Sequence, residues 1–327
     1  MTRRDFIALM SGIAAAGSLG SRGEASAIPF VGIVGSSAPG NDLRLPAIKQ
    51  GLRDSDYVEG RNVAIDSRSA GGHYDQLPQI VEDFVRRQAS VIITTGGNAP
   101  ALAAKAATTK IPVVFTVGGD PVQLGLVNSL SHPGGNMTGL GLFTTELIAK
   151  RLELLHEMVP QAGTVALLVG AGSSTTAQIT KQQAETAASV LRLKILEFTV
   201  GSIFEFEAAL TTAVQQGVQA VVLAAEPFFM TQRSPIIELT ARYRLPAIYP
   251  WREFVEEGGL MCYGPDLRDA YRQAGRYAGR ILDGTAPSDL PVQLPSKFEL
   301  IINLKTVKKL GLTVSRLLSA WADNVIE

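Results

Sequence analysis

The stretch Pro112 to Leu142, PVVFTVGGDPVQLGLVNSLSHPGGNMTGLGL, carries the pattern that decides the fold. It opens with a short apolar and β-branched run, Pro112 to Val117, which predicts a buried parallel strand. Gly118 and Gly119 follow and predict a tight turn. A second extended run, 136–142, comes after the PGG turn and predicts a strand that leaves one lobe for another.

Asp120 and Pro121 predict the start of a helix in the middle of this stretch, ending near Ser131. In that geometry the backbone N–H groups of Val122 and Gln123 face the mouth of the sheet and suit an anion. Two roles remain open for the Asp120 carboxylate, capping the helix or contacting a ligand.

Apolar runs alternate with helical patterns along the rest of the chain. The predicted strands are 29–35, 61–67, 91–95, 164–169, 193–200, 220–225, 246–250 and 259–263, with another in the tail PSKFELIINLKTVKKLGL. The predicted helices are 42–57, 75–88, 99–108, 145–158, 176–191, 204–216, 233–243 and 267–282, with one more after Asn303 that stops at Gly311. This rhythm predicts an α/β protein of two doubly wound parallel-sheet lobes, joined by a multi-strand hinge with a ligand cleft between them.

The expected lobes each take two segments of the chain. Lobe 1 is predicted to comprise 28–144 and 258–290, and lobe 2 to comprise 145–257 and 291–327. The strand 259–263 is expected to return to lobe 1, which places hinges near Leu142 and Gly258 and lets the lobes close around a ligand.

Residues 1–27 have the pattern of a signal peptide. Paired arginines precede an uncharged run from Phe6 to Gly20, which is short for a membrane span, and Ala-Ser-Ala ends at Ala27. Phe6, two places after Arg4, resembles a twin-arginine export signal. We expect cleavage after Ala27 and a soluble periplasmic protein; an uncleaved lipid-surface helix is the alternative.

Composition narrows the classes of partner. The 327 residues are 46% hydrophobic and 18% charged, with 30 basic and 30 acidic side chains. This balance gives no footprint for nucleic acid or for an anionic membrane. We expect a monomer with a small-molecule ligand. The single cysteine, Cys262, excludes an intrachain disulfide and predicts an inert buried thiol.

The loops that follow the predicted strands hold the candidate ligand contacts. In lobe 1 these are Ser36 and Ser37 after the first strand, Gly97 and Asn98 after the third, and Gly118, Gly119 and Asp120 after the fourth. Glycine lets backbone N–H groups approach a ligand, and the hydroxyl and amide groups add donors suited to a carboxylate or phosphate. Ordinary turn chemistry produces the same residues, so each loop alone leaves both readings open.

Lobe 2 offers candidates of different chemistry. Ser173 and Ser174 follow a strand, but the third glycine of a dinucleotide fingerprint is missing there. Glu226 ends an apolar run and can receive an ammonium group, with Phe228 beside it as an apolar wall; the alternative is a helix-start acid with core aromatics. Trp251 ends a later strand, where core packing and ligand contact are both open.

No catalytic or metal-binding motif is found in the sequence. His73, His132 and His156 lack metal spacing and an evident nucleophile. We therefore expect a binding protein with no metal and no cofactor, rather than an enzyme.

Three segments resemble bacterial ABC-transporter substrate-binding proteins of the tryptophan/tyrosine-binding type, a branch of the type I periplasmic binding-protein fold. They are FTVGGDPVQLGLVNSLSHPGGNMTG, PAIYPWREFVEEGGLMCYGPDL and PSKFELIINLKTVKKLGL. The resemblance implies that Ser36, Ser37, Gly97, Asn98 and Gly119 hold a ligand carboxylate and that Glu226 holds its ammonium group.

The resemblance also implies a role in transport. It predicts the periplasmic solute-binding component of an ABC importer, which captures an aromatic or hydrophobic amino acid or an aromatic acid and delivers it to a permease in the inner membrane. A periplasmic sensor that presents its closed form to a receptor is the alternative.

Overall fold

The computed structural model describes residues 28–36, 43–172, 174–295 and 297–327, with the side chains of residues 174 and 175 left aside. The predicted signal peptide, 1–27, and the predicted contacts Ser37 and Ser173 lie outside the described residues. The structure contains two β-sheets with helices packed on them, and it confirms the predicted α/β class with two lobes.

The first lobe is built on a five-stranded sheet. Its strands are β1 (Phe30–Gly35), β2 (Ala64–Ser69), β3 (Val91–Thr95), β4 (Val113–Val117) and β5 (Met137–Gly141). They are ordered β2-β1-β3-β4-β5, and every pair is parallel. All residues of β3 and β4 are buried. Their apolar runs therefore predict the position of these strands in the middle of a covered sheet.

The second lobe is built on a seven-stranded sheet. Its strands are β6 (Thr164–Gly170), β7 (Lys194–Val200), β8 (Ala220–Leu223), β9 (Ala247–Tyr249), β10 (Met261–Pro265), β11 (Phe298–Asn303) and β12 (Asn324–Ile326). Their order is β12-β11-β10-β9-β8-β6-β7. β11 runs antiparallel to β10, whereas the other pairs are parallel. The sheet is thus mixed at the side where β11 joins it.

Twelve α-helices lie within the described residues. The first six are α1 (Arg44–Arg53), α2 (Leu77–Arg86), α3 (Asn98–Ala107), α4 (Ile148–Met158), α5 (Ser174–Leu191) and α6 (Ile203–Gln215). The other six are α7 (Pro227–Thr231), α8 (Arg233–Arg242), α9 (Arg252–Glu256), α10 (Leu267–Leu282), α11 (Leu304–Lys309) and α12 (Arg316–Trp321). The short α7, α9 and α12 and the strand β12 were not predicted. Within the described part of the chain, no helix combines the length and the apolar character needed to span a bilayer.

The helix α10 packs against α1 at very short distance. A Cβ atom on Gly51 of α1 would lie 1.9 Å from the carbonyl oxygen of Arg272, and one on Gly275 of α10 would lie 2.2 Å from that of Ile48. Glycine at both positions lets the two helix backbones touch. This contact attaches α10 to the first lobe although the preceding strand belongs to the second.

The expectation that the strand 259–263 returns to the first lobe is wrong. β10 pairs with β9 and β11 in the second sheet, where Cys262 lies beside Tyr249 and Ile301. The chain crosses between the lobes only after it, between β10 and α10. Gly258, predicted as a hinge, lies between α9 and β10 within the second lobe.

Three segments connect the lobes among the described residues. They are 142–147 between β5 and α4, the short link between β10 and α10, and the segment beginning at 290–295, which precedes β11. The third runs beside the first lobe, since the N–H of Gly141 donates to the carbonyl of Gln293 at 3.0 Å and the N–H of Gln293 donates to that of Gly139 at 2.9 Å. The predicted hinge near Leu142 falls in the first of these segments.

The helix expected between Asp120 and Ser131 is absent. The chain instead forms consecutive turns, in which the N–H of Leu124 donates to the carbonyl of Asp120 at 2.9 Å and that of Leu126 donates to Pro121 at 2.8 Å. Gly125 has φ = 67°, a left-handed conformation that ends a helical turn. Asp120 and Pro121 do start a helical turn, as predicted, but the helix does not continue beyond this single turn.

Candidate functional site

A cavity of about 140 Å³ lies between the two lobes. The first lobe contributes Tyr74, Gly96, Gly97, Asn98, Ala99 and Leu102, together with Gly118. The second lobe contributes Gly172, Thr176, Ala225, Glu226 and Pro227, and the connecting segment contributes Thr144 and Thr145. Both lobes and one crossing therefore enclose the same space.

The sheet topology explains this location. In an open α/β sheet, ligands bind beyond the carboxyl ends of the strands where the strand order reverses. The first sheet reverses between β1 and β3, and the second between β6 and β8. The loops after β3, β6 and β8 all line the cavity, so the two reversal points face each other across it.

Asn98 organises the first-lobe side. Its Oδ1 accepts hydrogen bonds from the N–H groups of Gly118 at 3.1 Å and Gly119 at 3.2 Å. Its Nδ2 lies 3.4 Å from Oγ1 of Thr176 in the second lobe. The two glycine N–H groups that were expected to face an anion are thus bound by an amide side chain. Asn98 joins two loops of the first lobe and reaches across to the second.

Ser36 and Gly97 complete the loops at the reversal point of the first sheet. Ser36 is buried, and its hydroxyl donates to the carbonyl of Gly96, which ties the loop after β1 to the loop after β3. Gly97 has φ = 97°, and a Cβ atom there would lie 3.3 Å from Pro227 of the second lobe. Glycine is required by its backbone conformation and allows the lobes to approach closely.

Tyr74 is a cavity residue that the sequence did not single out. It lies after β2, and a Cβ atom on Gly172 would come within 2.6 Å of its ring. The Tyr74 ring therefore packs directly on the backbone of Gly172 in the second lobe. Burial and the nearby Glu226 charge raise the pKa of the Tyr74 phenol, whereas a hydrogen bond with Ser36 lowers it.

Glu226 supplies the only carboxylate among the described lining residues. It is 6% exposed, and its side chain packs on Gly170. Burial raises the pKa of Glu226 to about 8. Glu226 stands at the N-cap position of α7, but its side chain makes no capping hydrogen bond. The helix-start role considered for this acid is therefore not realised by its carboxylate, which faces the cavity instead.

Helix N-termini provide the complementary charge. α3 begins at Asn98 and α5 begins at Ser174, and residues from the first turn of each line the cavity. The N-terminal end of a helix carries a partial positive charge and suits an anionic group. No Lys, Arg or His is among the described lining residues. The arrangement therefore offers a carboxylate for a cation and backbone donors for an anion.

Asp120 lies outside this cavity lining. Its Oδ1 accepts from the N–H of Val122 at 2.8 Å and from that of Gln123 at 3.4 Å. These two N–H groups were expected to face a ligand. The Asp120 carboxylate therefore caps the turn that follows β4.

The aromatic candidates pack against other rings of the second lobe, Trp251 buried and Phe228 half-buried. Phe228 contacts Phe229 with ring centroids 5.6 Å apart. Trp251 is 7% exposed and lies 6.4 Å from Phe254, measured between ring centroids. Neither Phe228 nor Trp251 lines the cavity. Ser174 is the first residue of α5 and is not among the lining residues of the cavity.

The lining residues with polar side chains that were not predicted from the sequence are Tyr74, Thr144, Thr145 and Thr176. Thr144 and Thr145 follow the strand β5, so the rule that loops after strands face the cleft could have identified them. Tyr74 lies in the loop after the edge strand β2 and follows two glycines. An aromatic residue in such a loop does not indicate from sequence which part of the protein its ring contacts.

Two α/β lobes are joined by three connecting segments, and the carboxyl ends of their sheets face each other across a cavity. This arrangement defines a two-lobed binding protein with the type I periplasmic binding-protein fold. Residues 31–326 match the family described as ABC transporter substrate binding protein. The chain belongs to that family.

Known proteins are similar to the chain over most of its length. A tyrosine-binding protein from Clostridioides difficile is 26% identical over 274 residues, covering 84% of this chain and 78% of that protein. A conserved domain protein from Vibrio cholerae has 25% identity and a TM-score of 0.82, covering 91% of this chain and 99% of that one. An ABC domain in complex with L-Trp from Streptococcus pneumoniae has 23% identity and a TM-score of 0.78, covering 90% and 100%.

Proposed function

We propose that this protein is the periplasmic solute-binding component of an ABC importer and that it captures an aromatic or hydrophobic amino acid between its lobes. Closure of the lobes completes the site, and the closed form delivers the ligand to a permease in the inner membrane. The leader at 1–27 directs export, and cleavage after Ala27 releases the mature protein. We further propose that the three connecting segments act together as the hinge.

The observation that carries this proposal is the buried carboxylate of Glu226 in a cavity that also receives the N-termini of α3 and α5. A zwitterion brings an ammonium group to the acid and a carboxylate to the helix ends, so both charges are matched. An aromatic acid without an amine leaves the buried acid unpaired. The amino acid is therefore favoured over the acid.

The similar proteins support the same class of ligand. One is named for tyrosine binding and another was solved with L-Trp. The contacts that join the lobes, Asn98 to Thr176 and Tyr74 to Gly172, fit a closed arrangement. In it each lobe supplies part of the site, so a ligand stabilises closure through contacts that neither lobe makes alone.

A thermal-shift series on the mature chain tests the proposal. L-Tryptophan, tryptamine and indolepropionate share one ring system but differ in the amine and the carboxylate; L-tyrosine and L-leucine extend the series. A ligand present at about 100 times its dissociation constant adds about 2.7 kcal/mol to the free energy of unfolding. We expect the largest shift from an amino acid. Equal or larger shifts from indolepropionate, or no shift from any amino acid, would contradict the proposal.

A further inference from the structure

Arg151 on α4 is a fully buried arginine that connects the first connecting segment with the strand β10. Its Nε donates to the carbonyl of Tyr263 at 2.8 Å, and its Nη1 donates to the carbonyl of Thr144 at 3.3 Å. Thr144 belongs to the first connecting segment, whereas Tyr263 stands in β10, just before the second. One guanidinium group therefore links the first connecting segment to the strand that precedes the second.

The charge of Arg151 has no acidic partner within the described part of the chain. No carboxylate among the described residues forms an ion pair with it, and its Nη2 makes no hydrogen bond although it is buried. Burial lowers the pKa of Arg151 to about 9. A buried cation without a counterion is unfavourable, and an apolar side chain would often be more stable in such a place. The hydrogen bonds to two carbonyls are what distinguish arginine here.

The segment that Arg151 holds is conformationally unusual. Phe143 has φ = 49°, which is rare for a bulky side chain and is maintained only where neighbouring contacts require it. Hydrogen bonds lie on both sides of it. The N–H of Leu142 donates to the carbonyl of Val117 at 2.8 Å, and the N–H of Thr144 donates to that of Gly118 at 2.8 Å. Arg151 then holds the carbonyl of Thr144 from the side of the second lobe.

The same segment reaches the cavity. Thr144 and Thr145 line it, and a Cβ atom on Gly118 would lie 2.7 Å from Oγ1 of Thr144. Arg151 itself does not line the cavity. A change at Arg151 therefore acts on the site through the position of the connecting segment.

We propose that Arg151 is a positioning residue of the hinge. It holds the lobes in the closed arrangement by tying Thr144 to β10, and it thereby sets ligand affinity without touching the ligand. The part that concerns affinity rests on the proposed function; the part that concerns lobe arrangement does not. A residue of this kind changes the population of the closed state, so it scales the affinity of every ligand by one factor.

The test compares Arg151→Met, Arg151→Lys and a control, Arg233→Met. Arg233 is an arginine of the second lobe with an 11% exposed side chain. It pairs with Glu257 and donates to the carbonyl of Met230, and neither partner lies in a connecting segment. Small-angle X-ray scattering on the ligand-free proteins reports lobe separation. We expect a larger radius of gyration for Arg151→Met, a smaller increase for Arg151→Lys, which keeps the charge and can still bind one carbonyl, and no change for Arg233→Met.

Calorimetric titration with L-tryptophan and with tryptamine then measures affinity. We expect Arg151→Met to weaken both by the same factor, on the order of tenfold, since a hydrogen bond to a charged group contributes enough free energy for such a change. Unequal factors would assign Arg151 to ligand contact and overturn the proposal.

Scattering curves and affinities indistinguishable from those of the unmodified protein would also overturn it. If Arg151→Met does not fold, the scattering curve and the two affinities of Arg151→Lys test the positioning role of Arg151. If no amino acid of the thermal-shift series binds the unmodified protein, the proposed function fails, while the ligand-free scattering still tests the role of Arg151.

Discussion

Replacing Glu226 by glutamine tests whether ligand binding ionises the Glu226 carboxyl group. The Glu226 pKa of about 8 means that, without a ligand, about 90% of these carboxyl groups are protonated at pH 7. An ammonium group placed beside Glu226 favours the ionised form. Binding of L-tryptophan at pH 7 is therefore expected to release about 0.9 proton per ligand.

The same argument fixes the pH dependence of affinity. If the bound form is fully ionised, the dissociation constant of L-tryptophan falls about 50-fold between pH 6 and pH 8, because deprotonation no longer opposes binding. Indolepropionate binds beside the neutral acid, so its affinity falls about twofold over the same range. The two ligands thus respond to pH in opposite directions.

Isothermal titration calorimetry in phosphate and in Tris counts the released protons, since the two buffers differ in ionisation enthalpy. Glu226→Gln is expected to abolish both the proton release and the pH dependence, and to weaken L-tryptophan at pH 8 by at least about 2 kcal/mol, roughly 30-fold. Glu253→Gln is the matched control. Glu253 is also buried with a raised pKa, but it lies outside the cavity lining.

Unfolding of the ligand-free protein gives an independent reading of Glu226. Its folded pKa is raised above the ordinary value of 4.5, so the folded state binds more protons than the unfolded state between about pH 4.5 and pH 8. Stability from this group is lost as pH rises through that window, by about 1.4 kcal/mol per pH unit. Glu226→Gln should remove this slope. Proton release near zero in the unmodified protein, or an unchanged pH dependence in Glu226→Gln, would refute the reasoning.

Three further substitutions have definite expected outcomes. Gly172→Ala places a Cβ atom 2.6 Å from the Tyr74 ring, so we expect weaker ligand binding by titration with little change in unfolding temperature; unchanged binding would mean that the ring moves freely. Asp120→Asn retains an acceptor for the turn and should change neither affinity nor stability by more than about 0.5 kcal/mol, whereas lost binding would indicate a ligand contact. Gly51→Ala brings a methyl group 1.9 Å from the Arg272 carbonyl, and urea unfolding should show a loss of about 2 kcal/mol or more; a neutral result would contradict the close packing of α1 and α10.

Hydrophobic periodicity and local capping residues predicted several elements of the fold correctly. The pattern from Leu267 to Leu282 coincides with α10, and the apolar run Val91–Thr95 coincides with β3. Asn303 accepts a hydrogen bond from the N–H of Thr306 at 3.1 Å, and Gly311 ends the following turn with φ = 70°, as its sequence position predicts. These features depend on residues a few positions apart, so the chain itself encodes them.

Features that depend on distant partners could not be predicted in the same way. The strand β10 could pair in either sheet by its composition, and only its register with β9 and β11 assigns it to the second. Asp120 had the chemistry of a ligand contact as well as that of a cap, and its two hydrogen bonds to the following backbone settle where its carboxylate points.

The stretch from Pro112 to Leu142 illustrates the division. Its sequence alone determined the strand β4, the turn after it and the strand that leads out of the lobe, because apolar runs, glycine and proline act locally. Only the tertiary structure decided that the N–H groups of Gly118 and Gly119 are bound by Asn98 and that the lobes meet around Glu226. The physical reason is that the residues lining a cleft depend on how the two lobes pack against each other, and a local sequence pattern does not determine that packing.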